Sequence, residues 1–208
     1  MVEIGQIHKP EAGNFAGKRK LYCVANMYSL EDAPEEYTDL VRKYWDQAIA
    51  QIEKMETAGK IKKIFCEIIT GTDDDSLAVL SRINERIPQI IKKKSEEGGV
   101  LIPLEDQDIL GPFTDWGNCL RVIYTHEVFT KIIEYYTESA TRRLDHMIEV
   151  IDKNLSEAEA GLLILKDEDR AKLQFPRDIE VFLITPPSYD DIMRWFRERM
   201  MKREKKEG

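Results

Sequence analysis

The stretch Ile61-Lys-Lys-Ile-Phe-Cys-Glu-Ile-Ile-Thr70, which ends at Gly71, decides how this chain is expected to fold. It is a mostly apolar run with little alternation, typical of a strand that is buried on both faces of a sheet. Residues 72–76, Thr-Asp-Asp-Asp-Ser, then supply the side chains with which helices commonly begin. The stretch therefore predicts a strand that leads directly into a helix.

Similar units recur along the chain. Further strands are predicted at 21–27, 100–104, 161–166 and 179–185. Helical spacing of apolar residues fills most of the intervals between these strands, which favours crossover connections. We therefore predict an α/β layered fold with a mainly parallel sheet of about five strands and helices on its faces.

The longest helical pattern follows Gly117. Apolar residues step by three and four from Cys119 to Ile151, with no proline or glycine between them. This predicts one unusually long helix, about 119–154, although a break near 125–127 stays open. Such a length favours coiled-coil-like packing or a helix that spans the domain. We expect a homo-oligomer, for instance a homodimer, or a protein partner, unless the helix only covers its own sheet.

The domain organisation predicted from length and composition is simple. A chain of 208 residues fits one large domain. Residues 1–18 contain one proline and three glycines with little periodicity, and they predict an irregular N-terminal arm. Residues 19–201 are predicted to form a single α/β domain, and 202–208 a basic C-terminal tail.

The composition narrows the class of protein. With 42% apolar and 34% charged residues and a net charge of −8, this is an acidic globular chain. It has no apolar run of the ~18 residues that span a bilayer, and residues 1–17 lack a signal-peptide core. Its three cysteines lie far apart, so we expect a cytoplasmic protein with reduced thiols and no membrane partner. Abundant Lys, Glu and Ile, with only 11 Asn and Gln, resemble the heat-adapted bias.

Basic residues are concentrated at the C-terminus. Residues 192–208 hold seven Lys or Arg against three Glu, whereas the chain as a whole is acidic and would be repelled by nucleic-acid phosphates. No aromatic residue follows Phe196 to stack on bases. Nucleic-acid binding through the C-terminal helix is therefore an unfavoured alternative.

Acidic residues follow several predicted strands. Because ligands bind at the carboxyl ends of open parallel sheets, these side chains are candidate metal ligands. The candidates are Asp73, Glu105, Asp106 and Asp167. Their oxygens suit Mg²⁺ or Mn²⁺, so a metal-dependent hydrolase or phosphotransfer enzyme is the alternative function. Helix capping and loop hydrogen bonds explain the same residues without a metal.

Glu67 interrupts the apolar stretch from Ile61 to Thr70. A carboxylate buried there would have a raised pKa and is a candidate general acid or base. The alternative, which we favour, is structural: Glu67 points to an exposed sheet face or pairs with an arginine such as Arg121. Thr70 and Thr72 flank Gly71 in a turn that resembles an anion-binding strand-to-helix turn, so both are candidate binding residues.

Two aromatic residues lie in the segment 105–118, which is predicted to be an acidic loop with a short helical piece at most. If Phe113 and Trp116 are exposed there, they indicate a binding pocket or a partner contact. Otherwise they fill the core from the loop. The chain has no catalytic motif, and its three histidines form no cluster in sequence. We therefore predict a non-catalytic binding or interaction protein that self-associates through its long helix, without deciding whether it is an enzyme.

Overall fold

The computed structural model describes residues 17–28, 30 and 32–207. A five-stranded sheet lies at its centre, and all four strand pairings are parallel, in the order β3-β2-β4-β1-β5. The strands are β1 (Arg19–Ala25), β2 (Ile61–Cys66), β3 (Val100–Pro103), β4 (Ala160–Leu165) and β5 (Ile179–Ile184). The predicted layered α/β fold with a parallel sheet is confirmed.

Helices connect the strands and follow the last one. They are α1 (Glu35–Met55), α2 (Asp74–Ile83), α3 (Arg86–Glu96), α4 (Gln107–Leu120), α5 (His126–Asn154), α6 (Asp167–Arg170) and α7 (Pro187–Glu207). Pro88 lies in the first turn of α3, a position where proline is tolerated.

The strand order inserts β4 between β1 and β2. Ala25 of β1 pairs with Leu165, and Cys66 of β2 pairs with Ile164, so the three strands end at nearly the same level. Every residue of β4 is buried. Gly161 allows this close packing, because a Cβ there would lie 3.1 Å from Phe65 and 3.2 Å from Leu21. The residues that follow β1, β4 and β2 are therefore neighbours at one edge of the sheet.

Each face of the sheet has its own apolar cluster. On one face, side chains such as Ile64 and Leu162 pack with Trp45 of α1, Ile87 of α3 and Ile192 of α7. On the other face, Leu163 and Phe65 pack with Met147 and Ile151, which belong to the C-terminal half of α5. Alternate residues of the strands feed the two clusters, as strand geometry requires.

Helices α4 and α5 form an antiparallel pair, which we call the hairpin (residues 107–142). The predicted continuous helix 119–154 is divided: Cys119 and Leu120 end α4, and α5 begins at His126. The predicted acidic loop is largely α4. Its first turn is capped by Asp106, whose side chain accepts from the Asp108 amide at 2.8 Å. Pro112 lies inside α4 and is exposed to solvent.

Other predicted boundaries shift by a few residues. Strand β2 ends at Cys66 instead of Thr70, and Ile68 adopts a left-handed φ of 73°, which ends the strand. Helix α7 continues to Glu207, so residues 202–207 extend a helix rather than a separate tail. The predicted irregular arm spans residues 1–18, and its residues 1–16 lie outside the described residues.

Candidate functional site

Polar side chains meet where β1, β4 and β2 end. Asn26 follows β1 and donates its backbone N–H to Leu165 O at 3.0 Å, while the Glu67 amide, after β2, donates to Ile164 O at 3.0 Å. The helices that follow β1 and β2 pack on one face of the sheet, whereas Leu173, in the segment that follows β4, packs on the other. Sheets of α/β proteins place ligand crevices where neighbouring connections diverge in this way. We call the group Asn26, Tyr28, Glu67 and Lys166 the edge cluster.

Glu67 is the centre of the edge cluster. Its side chain is 99% buried, and one of its oxygens, Oε1, accepts from Asn26 Nδ2 at 2.7 Å and from the Tyr28 hydroxyl. Burial raises the pKa of Glu67, and the hydrogen bonds from Tyr28 and Asn26 only partly oppose it. Burial also raises the pKa of Tyr28, and the nearby Glu67 carboxylate raises it further. Glu67 therefore holds a proton more readily than an ordinary glutamate.

Two atoms of the edge cluster lack an ordinary partner. Asn26 Oδ1 is buried and has no hydrogen-bond partner within the described part of the chain. Lys166 is exposed, forms no ion pair with any described carboxylate, and places its Nζ 5.1 Å from the centroid of the Tyr28 ring. The edge cluster thus contains a buried acceptor, Asn26 Oδ1, and an exposed cation, Lys166, which lies over the Tyr28 ring.

Arg143 ties α5 to the same edge of the sheet. Its guanidinium forms a two-point ion pair with Glu105, with Nη2–Oε1 at 2.5 Å and Nε–Oε2 at 2.9 Å. Its Nη1 donates to Asp169 of α6 at 2.7 Å, and Nη2 lies 3.9 Å from Glu67 Oε2. Burial works to lower the pKa of Arg143, but the bonds to Glu105 and Asp169 outweigh it and raise that pKa. The charge of Arg143 is thus balanced mainly by Glu105 and Asp169, and less by Glu67.

The four predicted metal ligands have separate partners. Asp73 caps α2 by accepting from the Ser76 amide at 2.8 Å, and Asp106 caps α4. Glu105 is held by Arg143, and Asp167 accepts from Arg170 and from the Tyr189 hydroxyl. Among the described residues, no group of three or more His, Cys, Asp or Glu is placed to hold a metal ion. The structure thus gives each of the four a structural role.

The remaining predicted site residues fall outside the edge cluster. Thr70 is half-buried and Thr72 exposed, in the segment that joins β2 to α2. Phe113 and Trp116 lie on α4 instead of in a loop and neither is buried. Phe113 stacks on Tyr136 of α5 at 5.1 Å between ring centroids, and its ring also lies 4.9 Å from the Arg143 guanidinium carbon.

Sequence reasoning missed four residues of this region, namely Asn26, Tyr28, Arg143 and Lys166. Asn26 and Tyr28 follow the first strand, whose carboxyl end was not considered. Arg143 lies four residues before Met147, which is buried in the α5 face toward the sheet. A charge at a buried helical position requires a partner, and this was the available signal. The proposed partner of Glu67 was Arg121, whereas the arginine nearest to it is Arg143.

The hairpin carries a second surface feature. No side chain from Asp106 to Arg142 is buried, although the segment is rich in apolar residues. The most exposed of them are Val122 (82%), Tyr124 (102%), Val128 (49%), Phe129 (42%) and Tyr135 (48%). We call these five residues the apolar patch.

Comparison with known proteins gives no fold or family relationship to reason from: no family model, curated protein or solved structure matches this chain. Within the described residues, no helix is both long enough and apolar enough to cross a membrane. The edge cluster and the hairpin are therefore the two features of the molecule from which a function is proposed.

Proposed function

We propose that this protein is an interaction module that self-associates through its hairpin. The observation that carries the proposal is the absence of any buried side chain between Asp106 and Arg142 in a segment that presents the apolar patch to solvent. Contiguous exposed apolar surface of this kind is rare on monomeric proteins and marks interaction sites.

Helices α4 and α5 of the hairpin pack closely against each other, partly through aromatic pairs. Trp116 stacks on Tyr135 with 5.0 Å between ring centroids, and Phe113 stacks on Tyr136. Two helices cannot enclose a core between them, since each offers one stripe to its neighbour and leaves the remaining apolar positions in water. The C-terminal half of α5 escapes this limit because Met147 and Ile151 reach the sheet. The half from His126 to Arg142 requires a partner.

A second copy of the chain suits the hairpin. Residues 107–142 hold five acidic and three basic residues, so the segment carries only −2 of the total charge of −8, and two hairpins repel each other weakly. Packed about a twofold axis, two hairpins form a four-helix bundle with the same patch on both sides. The apolar patch exposes on the order of 600 Å² by the usual sizes of its side chains. With its half-exposed neighbours it approaches the ~800 Å² per partner of a stable interface.

Sedimentation measurements over a range of protein concentrations test the proposal. We expect the native chain to reach twice its monomer mass of 24.2 kDa. The double variant Val128→Lys, Phe129→Lys places two cations in the apolar patch and should sediment as a monomer. Its circular dichroism should match that of the native chain, because both side chains are exposed.

The matched control is Val79→Lys. Val79 is a comparably exposed valine (41%) on α2, away from the hairpin, so the same substitution there should leave the dimer intact. A native chain that stays monomeric at every concentration contradicts the proposal. So does a dimer that survives the double substitution in the apolar patch.

A further inference from the structure

We infer that the edge cluster is a binding site for a small zwitterion that carries an ammonium group and a carboxylate, as a free amino acid does. The inference rests on one juxtaposition around Tyr28: the buried Glu67 carboxyl at its hydroxyl, a buried Asn26 oxygen without a hydrogen-bond partner among the described residues, and Lys166 over its ring, in no close ion pair with a described carboxylate. It is independent of the hairpin and of self-association.

The inner half of the site calls for hydrogen-bond donors. Asn26 is 96% buried, and its Oδ1 has no partner among the described residues, which is costly for a polar atom shielded from water. Glu67 beside it is an acceptor whenever it is ionised, and its Oε2 lies 3.9 Å from Arg143 Nη2. An ammonium group supplies three donors and no acceptor, and therefore matches both atoms.

The charge balance favours a cation at the same place. Three carboxylates, those of Glu67, Glu105 and Asp169, surround Arg143, which bonds closely to the last two. Of the three, Glu67 has the longest contact with the guanidinium, at 3.9 Å, and burial raises its pKa although Lys166 and Arg143 act to lower it. A ligand ammonium in contact with Glu67 would supply a closer cation and let the carboxyl lose its proton.

The outer half of the site calls for an anion. Lys166 is exposed and has no ion-pair partner within the described chain, and it lies over the ring of the tyrosine whose hydroxyl bonds to Glu67. Lys166 and Glu67 therefore both lie against Tyr28, and Lys166 is close enough to act to lower the pKa of Glu67. A ligand with its two charges a few bonds apart can contact Lys166 with its carboxylate and Glu67 with its ammonium. A simple amine would be repelled by Lys166 at the entrance.

Entry to the site depends on Tyr28. Asn26 and Glu67 are closed to solvent, whereas Tyr28 is only half-buried and Lys166 is exposed. The ligand ammonium replaces the Tyr28 hydroxyl as donor to Glu67, so that the number of hydrogen bonds to the carboxyl is maintained. The ring must turn aside as the ligand enters, which a side chain at the surface can do without moving the sheet.

Nuclear magnetic resonance of the ¹⁵N-labelled full chain tests the inference. The Asn26 side-chain amide reports on the inner half of the site and is identified by its loss in Asn26→Ala. Each of the standard amino acids is added singly at millimolar concentration, and at least one should shift this signal in a saturable way. For that amino acid, the analogue without its amino group and the analogue without its carboxylate should each bind at least about tenfold more weakly.

Variants separate the two halves of the site. Glu67→Gln and Lys166→Gln should each weaken binding by about tenfold or more. Lys62→Gln, a change at an exposed lysine near the amino end of β2, should not alter it. Because Lys166 is exposed, its variant folds even where Glu67→Gln does not. The inference is overturned if no amino acid moves the Asn26 signal, if an analogue lacking one charge binds equally well, or if Lys166→Gln binds like the native chain.

Discussion

Arg143 and Glu105 form a buried two-point ion pair that joins α5 to the end of β3, with 2.5 Å between Nη2 and Oε1. Both side chains are at least 95% buried. Glu105 also accepts from the Ile68 amide at 3.3 Å, which holds the left-handed residue that ends β2. One contact therefore positions both the base of the hairpin and the segment that carries Glu67.

Removing the cation from this pair should destabilise the fold strongly. Arg143→Met leaves Glu105 buried without its cation, and such losses cost about 3–5 kcal/mol. Urea denaturation measures the free energy of unfolding. The matched control is Arg142→Met, a change at the exposed neighbour, which should stay within about 0.5 kcal/mol of the native value.

A second variant separates the pair from the packing around it. In Arg143→Met with Glu105→Leu both charges are gone, so part of the lost stability should return. Equal stability of the two single arginine variants would contradict the central role of the ion pair.

Glu67 should give the protein a recognisable pH dependence. Its pKa is raised in the folded state, so its contribution to stability is full below the unfolded value of about 4.5 and is lost as the pH rises through the folded pKa. Glu67→Gln resembles the protonated carboxyl at every pH. Relative to the native chain, the variant should therefore gain stability as the pH rises, by at most about 1.4 kcal/mol per pH unit. Urea denaturation of both chains between pH 4 and 8 checks this; a difference independent of pH would contradict it.

Asp73 distinguishes helix capping from metal binding. Asparagine caps helices as well as aspartate does, so Asp73→Asn should leave the melting temperature nearly unchanged, whereas Asp73→Ala should lower it by about 2–4 °C. Both comparisons are made by scanning calorimetry with Mg²⁺ and with a chelator. If the native chain is stabilised by Mg²⁺ and Asp73→Asn is not, the carboxylate acts as a metal ligand instead.

Two glycines should respond in opposite directions to alanine. At Gly161 a Cβ would lie 3.1–3.3 Å from Phe65, Leu21 and Leu155, and overpacking of a core by one methyl costs about 1–3 kcal/mol. At Gly111 in α4 a Cβ would meet nothing within 4 Å, so alanine should stabilise the helix by up to about 1 kcal/mol. Denaturant unfolding of both variants measures the two changes in the free energy of unfolding. A Gly161→Ala protein as stable as the native chain would show that β4 packs more loosely than these distances indicate.

The alternation of strands and helices was predictable because it depends on local patterns. The stretch from Ile61 onward has the residues of a buried strand wherever it lies in the sheet, and the same holds for 161–166. Divisions within helical patterns were harder to predict. The apolar spacing continues across residues 121–125, and only the loss of helical hydrogen bonding there separates α4 from α5.

Glu67 was predictable as a functional candidate because it interrupts an apolar stretch, and Glu105 because it follows a predicted strand. The partners of these two carboxyls were not predictable from local sequence. Asn26 lies 41 residues from Glu67, and Arg143 lies 38 residues from Glu105 along the chain. A pairing over that distance depends on strand order, and β4 between β1 and β2 is a tertiary choice. The acidic residues Asp73 and Asp106 illustrate the opposite case, since their capping role is local and their sequence context already explains it.

The sequence by itself determined the α/β class, the acidic globular character and the positions of the strands, because burial patterns and capping residues act over a few residues. Only the tertiary structure decided that Asn26, Glu67 and Lys166 meet at one edge, that Arg143 is the cation beside them, and that half of α5 lies on no sheet. Those outcomes depend on which strands pair and on how far a helix extends beyond the edge of the sheet. They arise from contacts between distant parts of the chain, which local patterns do not specify.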